Sequence, residues 1–166
     1  MIRSVRAIQA AAVIVIVALD QLVKMLVRDR LPYGHSIEVI PGLLDLTRVH
    51  NTGAAFGMLN AIDFPYKPVV IPLVATAALA GLAIYAATLD VSQRLSRVGL
   101  TFVVGGAAGN LIDRVAYGYV LDFVDFYWND WHFWAFNVAD ASISVGVVFM
   151  ILDLLGAGRL RVSRTV

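Results

Sequence analysis

The stretch VVIPLVATAALAGLAIYAATL, Val69 to Leu89, carries no charged side chain. A helix needs about 20 mostly apolar residues to cross a hydrocarbon core about 30 Å thick. This stretch meets that requirement without interruption, and three others resemble it: Ala7–Val27, Val98–Val115 and Val138–Leu155. Of the 166 residues, 60% are hydrophobic and only 15% charged, against about 25% charged in soluble domains. The expectation is an all-α integral membrane protein of four transmembrane helices, with residues 1–166 forming one domain. Pro72 falls in or near the first turn of the second helix, where its missing N–H does little harm.

The composition also excludes several classes. A formal net charge of +1 leaves no basic patch for nucleic acid. The absence of cysteine removes disulfides, thiolate metal sites and cysteine nucleophiles. The three histidines, His35, His50 and His132, lack ligand spacing, so no metal is expected. Arg3 and Arg6 precede an apolar run, as in a signal peptide. However, no small-residue cleavage site follows and the run continues through Asp20 and Lys24, so a retained first helix is expected.

With four helices both termini lie on one side. That side holds Arg3, Arg6, Arg94, Arg97, Arg159, Arg161 and Arg164. The other holds Lys24, Arg28, Arg30, Arg48, Lys67 and Arg114. The count is nearly even, and the positive-inside rule places both termini in the cytoplasm by that small margin. Segments 31–68 and 116–137 are then extracytoplasmic. Alternating residues around Pro41-Gly42 suggest short strands over 37–50, a small extracytoplasmic β-cradle between helices one and two. Segment 116–137 reads as an outer loop. Its tryptophans, Trp128, Trp131 and Trp134, read as interface anchors, and Asp125 and Asp130 as solvated acids.

The remaining polar residues converge. Asp20 and Lys24 are four apart, late in the first helix. Asn110, Asp113 and Arg114 share a face late in the third. Asn137 and Asp140 share a face early in the fourth, with Asp122 in the segment between. Alternating helix direction puts all of them near one membrane surface, and Gly105 and Gly109 let a neighbouring helix approach. Ionisable groups at membrane depth are costly and mark functional sites. Bland readings exist for some: an interfacial Asp20/Lys24 pair with Lys24 snorkelling outward, and a helix-end Asp113/Arg114 pair. Asp140 has no Lys or Arg within four residues. Two carboxylates held close share a proton and can activate water against an amide. The same groups also suit an ion pathway, or a structural subunit binding a partner helix, and spacing alone does not choose.

Five motifs carry a resemblance to a known family: DQLVK (Asp20, Lys24), NTGAAFG (from Asn51), GGAAGNLIDR (Asn110, Asp113, Arg114), VLDFVDFY (Asp122) and FNVADASISVG (Asn137, Asp140). In this order, over nearly the whole chain, they resemble the lipoprotein signal peptidases, the bacterial signal peptidase II family. Gly57 stands where Ser would equally be expected. The resemblance implies an aspartyl endopeptidase of the bacterial inner membrane that needs no cofactor. It removes the signal peptide from prolipoproteins on the N-terminal side of a diacylglyceryl-modified cysteine. It implies contact with membrane phospholipids, inhibition by the cyclic peptide globomycin, and an active site near the extracytoplasmic face. The catalytic pair maps onto Asp122 and Asp140. Asp20, Lys24, Asn51, Gly53, Asn110, Asp113, Arg114 and Asn137 map onto supports and substrate contacts. The amides of Asn51, Asn110 and Asn137 are expected to hold the substrate backbone.

Overall fold

The computed structural model describes residues 2–53, 62, 64–90 and 92–156. Among the described residues four helices form: α1 (Ile2–Arg30), α2 (Lys67–Thr88), α3 (Arg94–Tyr117) and α4 (Val138–Leu154). Each begins and ends within a few residues of its apolar run. Among the described residues three are long and apolar enough to cross a membrane, namely α1, α2 and α3. The fourth, with 17 residues, is the shortest.

The core of the bundle is α3. It packs on α4 along its length, on α1, and more lightly on α2. Glycine makes the α3–α4 approach possible. A Cβ on Gly99 would meet the Gly146 carbonyl oxygen at 2.5 Å, and one on Gly146 would strike the Gly99 carbonyl in return. Gly105 and Gly109 face α1 instead, as their spacing suggests: a Cβ on Gly105 would lie 2.9 Å from Ile16. Along α2, Lys67 alone is buried. A helix apolar on every side and covered by protein on one needs lipid around the rest. Pro72 lies beyond the first turn of α2, inside the helix, and α2 continues through it to Thr88.

Four antiparallel strands cap one end of the bundle: β1 (Ser36–Ile40), β2 (Leu44–Asn51), β3 (Val120–Trp128) and β4 (Trp131–His132), in that spatial order. This corrects the expected cradle. Half its strands come from the segment between α3 and α4, read above as a loop. VLDFVDFYW is dense in β-branched and aromatic residues, which suit a pleated, half-buried surface. The first four residues of β3 are buried. Val27 of α1 and Leu31 just beyond its end pack against Leu121 and Phe123 of β3, fixing the sheet to the bundle. Asp125 sits on β3, 2.9 Å from His132 Nδ1, while Asp130 lies at the exposed turn. Trp128, Trp131 and Trp134 are 68%, 63% and 59% exposed, available to lipid headgroups. Of the NTGAAFG motif, Ala54 to Gly57 lie outside the described residues.

Candidate active site

The site lies where the ends of α1 and α3, the start of α4, and strands β2 and β3 meet. Asp20, Lys24 and Asp113 have no exposed surface, and Asn51, Asn110, Asp122 and Asn137 are all under 9% exposed. Burying an ion costs several kcal/mol unless partners replace water. Every carboxylate here has such partners.

Lys24 Nζ is the hub. It reaches Asp20 Oδ2 at 2.8 Å, Asp113 Oδ2 at 3.0 Å and Asn110 Oδ1 at 2.9 Å. An ammonium has three N–H donors, and this geometry uses one for each partner. Lys24 therefore does not snorkel, and Asp20/Lys24 is no interfacial pair. The other oxygen of Asp20 accepts from the Ala139 backbone N–H at 3.0 Å, tying α1 to the first turn of α4. Asp113 accepts from Arg28 Nη2 at 2.7 Å and from the Leu121 backbone N–H at 3.1 Å. The Arg28 guanidinium also stacks over Tyr117, 4.0 Å from the ring centre. A Cβ on Gly109 would lie 2.7 Å from Asp20 Oδ2, so α3 comes this close to α1 only because that residue is glycine.

Asp122 and Asp140 flank this hub. Asp122 Oδ1 accepts from Asn137 Nδ2 at 2.6 Å, and Oδ2 from Asn51 Nδ2 at 3.0 Å. Asp140 Oδ1 accepts from Asn110 Nδ2 at 2.8 Å. Asn137 Nδ2 also reaches Asn110 Oδ1 at 3.2 Å, so the two carboxylates are joined through two amides. Asn137 and Asp140 form a capping box at the start of α4: each side chain accepts from the other's backbone N–H. Burial, and after it the negative charge of Asp140, push the Asp122 carboxyl up to about 7.

The three amides bond the carboxylates. Each is oriented by a group that can only donate. The Gly53 N–H donates to Asn51 Oδ1, the Asp140 N–H to Asn137 Oδ1, and Lys24 to Asn110 Oδ1. The amide nitrogens then face Asp122 and Asp140. Arg114 turns away from the hub and donates to the Gly53 and Asn110 carbonyls at 3.0 and 3.3 Å. Beside it a cavity of about 150 Å³ opens, lined by Arg114, Lys67, Thr52 and Pro72 among others. Two members were missed from the sequence. Gln21 bonds Asp20, the Gly109 carbonyl and Asp113, and Arg28 bonds Asp113. Positions 20, 24 and 28 repeat every four residues, the signal that would have found Arg28.

Among the described residues no group of His, Asp and Glu is arranged to hold a metal ion. What the fold defines is an integral membrane protein with a buried ionic centre at one end of its bundle. The comparisons narrow this. A family model described as Signal peptidase (SPase) II matches residues 12–156. A lipoprotein signal peptidase of Symbiobacterium thermophilum is 46% identical over 142 residues, covering 86% of this chain and 90% of that one. One of Tolumonas auensis is 45% identical over 144 residues, covering 82% and 83%. Two solved structures titled as bacterial membrane enzymes, each 30% identical, superpose with TM-scores of 0.76 and 0.73. The first covers 95% of both chains, the second 96% of this chain and 94% of its own. The chain belongs to the signal peptidase II family.

Proposed function

We propose that this protein is an aspartyl endopeptidase that removes the signal peptide from diacylglyceryl-modified prolipoproteins, with Asp122 and Asp140 as the catalytic pair. The carrying observation is that Asp122 and Asp140 are joined through the amides of Asn137 and Asn110, at the end of a buried ionic centre. Burial and the charge of Asp140 push the Asp122 carboxyl up to about 7, which favours a pair that holds one proton. Two such acids titrate as a pair.

That protonation state can cleave an amide without a covalent intermediate. The ionised carboxylate takes a proton from water as the water oxygen bonds to the scissile carbonyl carbon. The protonated carboxyl gives its proton to the carbonyl oxygen. In the tetrahedral intermediate a proton then passes to the leaving nitrogen, the C–N bond breaks and the carbonyl re-forms. The pair ends with one proton, as it began. The peptide cut lies on the N-terminal side of the lipidated cysteine, whose acyl chains keep it at the depth of the pair.

The wider reading follows from this. With 17 residues α4 stands at the lower limit of spanning length, about 17–25 residues, and makes a fourth span. Both termini face the cytoplasm, the sheet and the pair lie at the outer surface of the bacterial inner membrane, and globomycin-type cyclic peptides compete for the site. Asp20, Lys24, Asn51, Asn110, Asp113 and Asn137 position the pair, while Gly53 and Arg114 border the substrate.

The deciding experiment is cleavage of a lipidated prolipoprotein and its unlipidated form by purified wild type, Asp122→Asn and Asp140→Asn, with melting curves for each. Cleavage of the lipidated form by wild type alone is expected. Normal turnover by either folded variant would overturn the mechanism.

A further inference from the structure

At the opposite end of the bundle, a second cavity of about 270 Å³ opens between the first turns of α1 and α3 and the last turn of α2. Its lining is Arg6, Gln9, Ala86, Ala87 and Arg97. At 1.5 Å per residue, Arg97 lies roughly 20 Å along α3 from Asn110, so this cavity is separate from the active site.

Arg97 is the unusual group. It is 8% exposed, and no acid pairs with it among the described residues. Asp90, the acid its field reaches, is exposed and bonded to the Ser92 N–H. The guanidinium has five N–H donors. One goes to the Leu89 carbonyl at 3.3 Å and one to Gln9 Oε1 at 2.5 Å. Nε is buried without any partner. Gln9 returns two bonds, to the Arg97 carbonyl and to Thr101 Oγ1, so the wall is rigid. A buried N–H of a charged group left unmatched is costly. A clamp between α1 and α3 would explain the Gln9 contacts. It does not explain a second arginine on the same cavity.

We propose that this cavity binds a phosphate anion, supplied by the headgroup of an anionic phospholipid in the leaflet at that end. Two guanidiniums on one cavity are suited to a phosphodiester. The cavity is open at its mouth, so a headgroup can enter it from the membrane surface. The two helices α1 and α2 that line the cavity also carry exposed apolar residues, among them Ile8 and Ile84 at 69% and 70% exposed, on which acyl chains can lie.

The test is native mass spectrometry of the full-length protein released from detergent. Phosphatidylglycerol, the matched diacylglycerol lacking phosphate, and inorganic phosphate alone are offered in turn. Wild type should retain phosphatidylglycerol and not diacylglycerol. Arg6→Gln, an exposed substitution, should weaken retention about fivefold, the effect of one surface cation on an anionic lipid, with prolipoprotein cleavage unchanged. Arg97→Gln should weaken it further. If it does not fold, Arg6→Gln carries the test. Competition by inorganic phosphate at millimolar concentration identifies free phosphate as the source; indifference to it identifies the lipid. Equal retention of diacylglycerol, or Arg6→Gln at the wild-type level, would overturn the proposal.

Discussion

Lys24 Nζ lies 2.9 Å from Asn110 Oδ1, and that contact decides which way the Asn110 amide faces. An ammonium cannot accept, so the carbonyl end must meet it and the amino end must meet Asp140. An ion pair on the α1 side of the bundle thus sets a hydrogen bond on the α4 side.

Lys24→Met removes that orientation and leaves Asp20 and Asp113 with fewer buried partners. Breaking a buried pair costs about 3–5 kcal/mol. The expected outcome is a strongly lowered melting temperature in detergent and loss of cleavage. A variant as stable as wild type would remove Lys24 from the network.

Asn137 does two jobs, and two substitutions separate them. Asn137→Ala loses both the α4 cap and the amide to Asp122, and should cost at least the 0.5–2 kcal/mol of a cap. Asn137→Ser keeps a capping oxygen without the amide nitrogen. It should regain most of the stability and little of the turnover. Full activity in Asn137→Ser, measured as kcat, would show that the amide does not matter.

The carboxyl of Asp122, pushed up to about 7, gives two pH signatures. Above about pH 7 the pair loses its shared proton, so kcat/KM should fall toward tenfold per pH unit. Stability follows the same direction. The folded-state value exceeds the unfolded value of about 3.9, so its contribution is complete below about pH 4 and is lost as pH rises through about 7. Melting curves from pH 4 to 8 should show that decline, and Asp122→Asn should flatten it.

Two glycines on lipid-facing and protein-facing surfaces should respond oppositely. At Gly81 of α2 a Cβ meets nothing within 4 Å, so Gly81→Ala should stabilise by up to about 1 kcal/mol. At Gly109 the same methyl would sit 2.7 Å from Asp20 Oδ2 and push it from the Ala139 N–H. Gly109→Ala should lower both the melting temperature and the rate of cleavage. Equal effects at the two positions would refute the close approach.

Much of this architecture was legible in the sequence because lipid imposes a single length on apolar runs. Asp20, Asn110, Asp113, Asn137 and Asp140 converge as their helical spacing suggests, and β3 brings Asp122 to them. What was not legible depended on direction rather than position. Strand β3 was hidden because its Trp, Tyr and Phe residues also fit an interfacial loop, and only pairing with β2 separates the two. The aim of the Asn51, Asn110 and Asn137 amides was not legible. It is set by the nearby Gly53 and Asp140 N–H groups and, for Asn110, by Lys24 on α1. Gln9 and Arg97, 88 positions apart, had no sequence signal linking them.

The peptide groups around Leu121 are gripped on both sides: its N–H by Asp113, and its carbonyl by Asn137. The next residue along is Asp122. One acid of the pair is thus moored to α3, to α4 and, through Asn51, to β2. Shifting any one of these three elements would shift the carboxyl that they share.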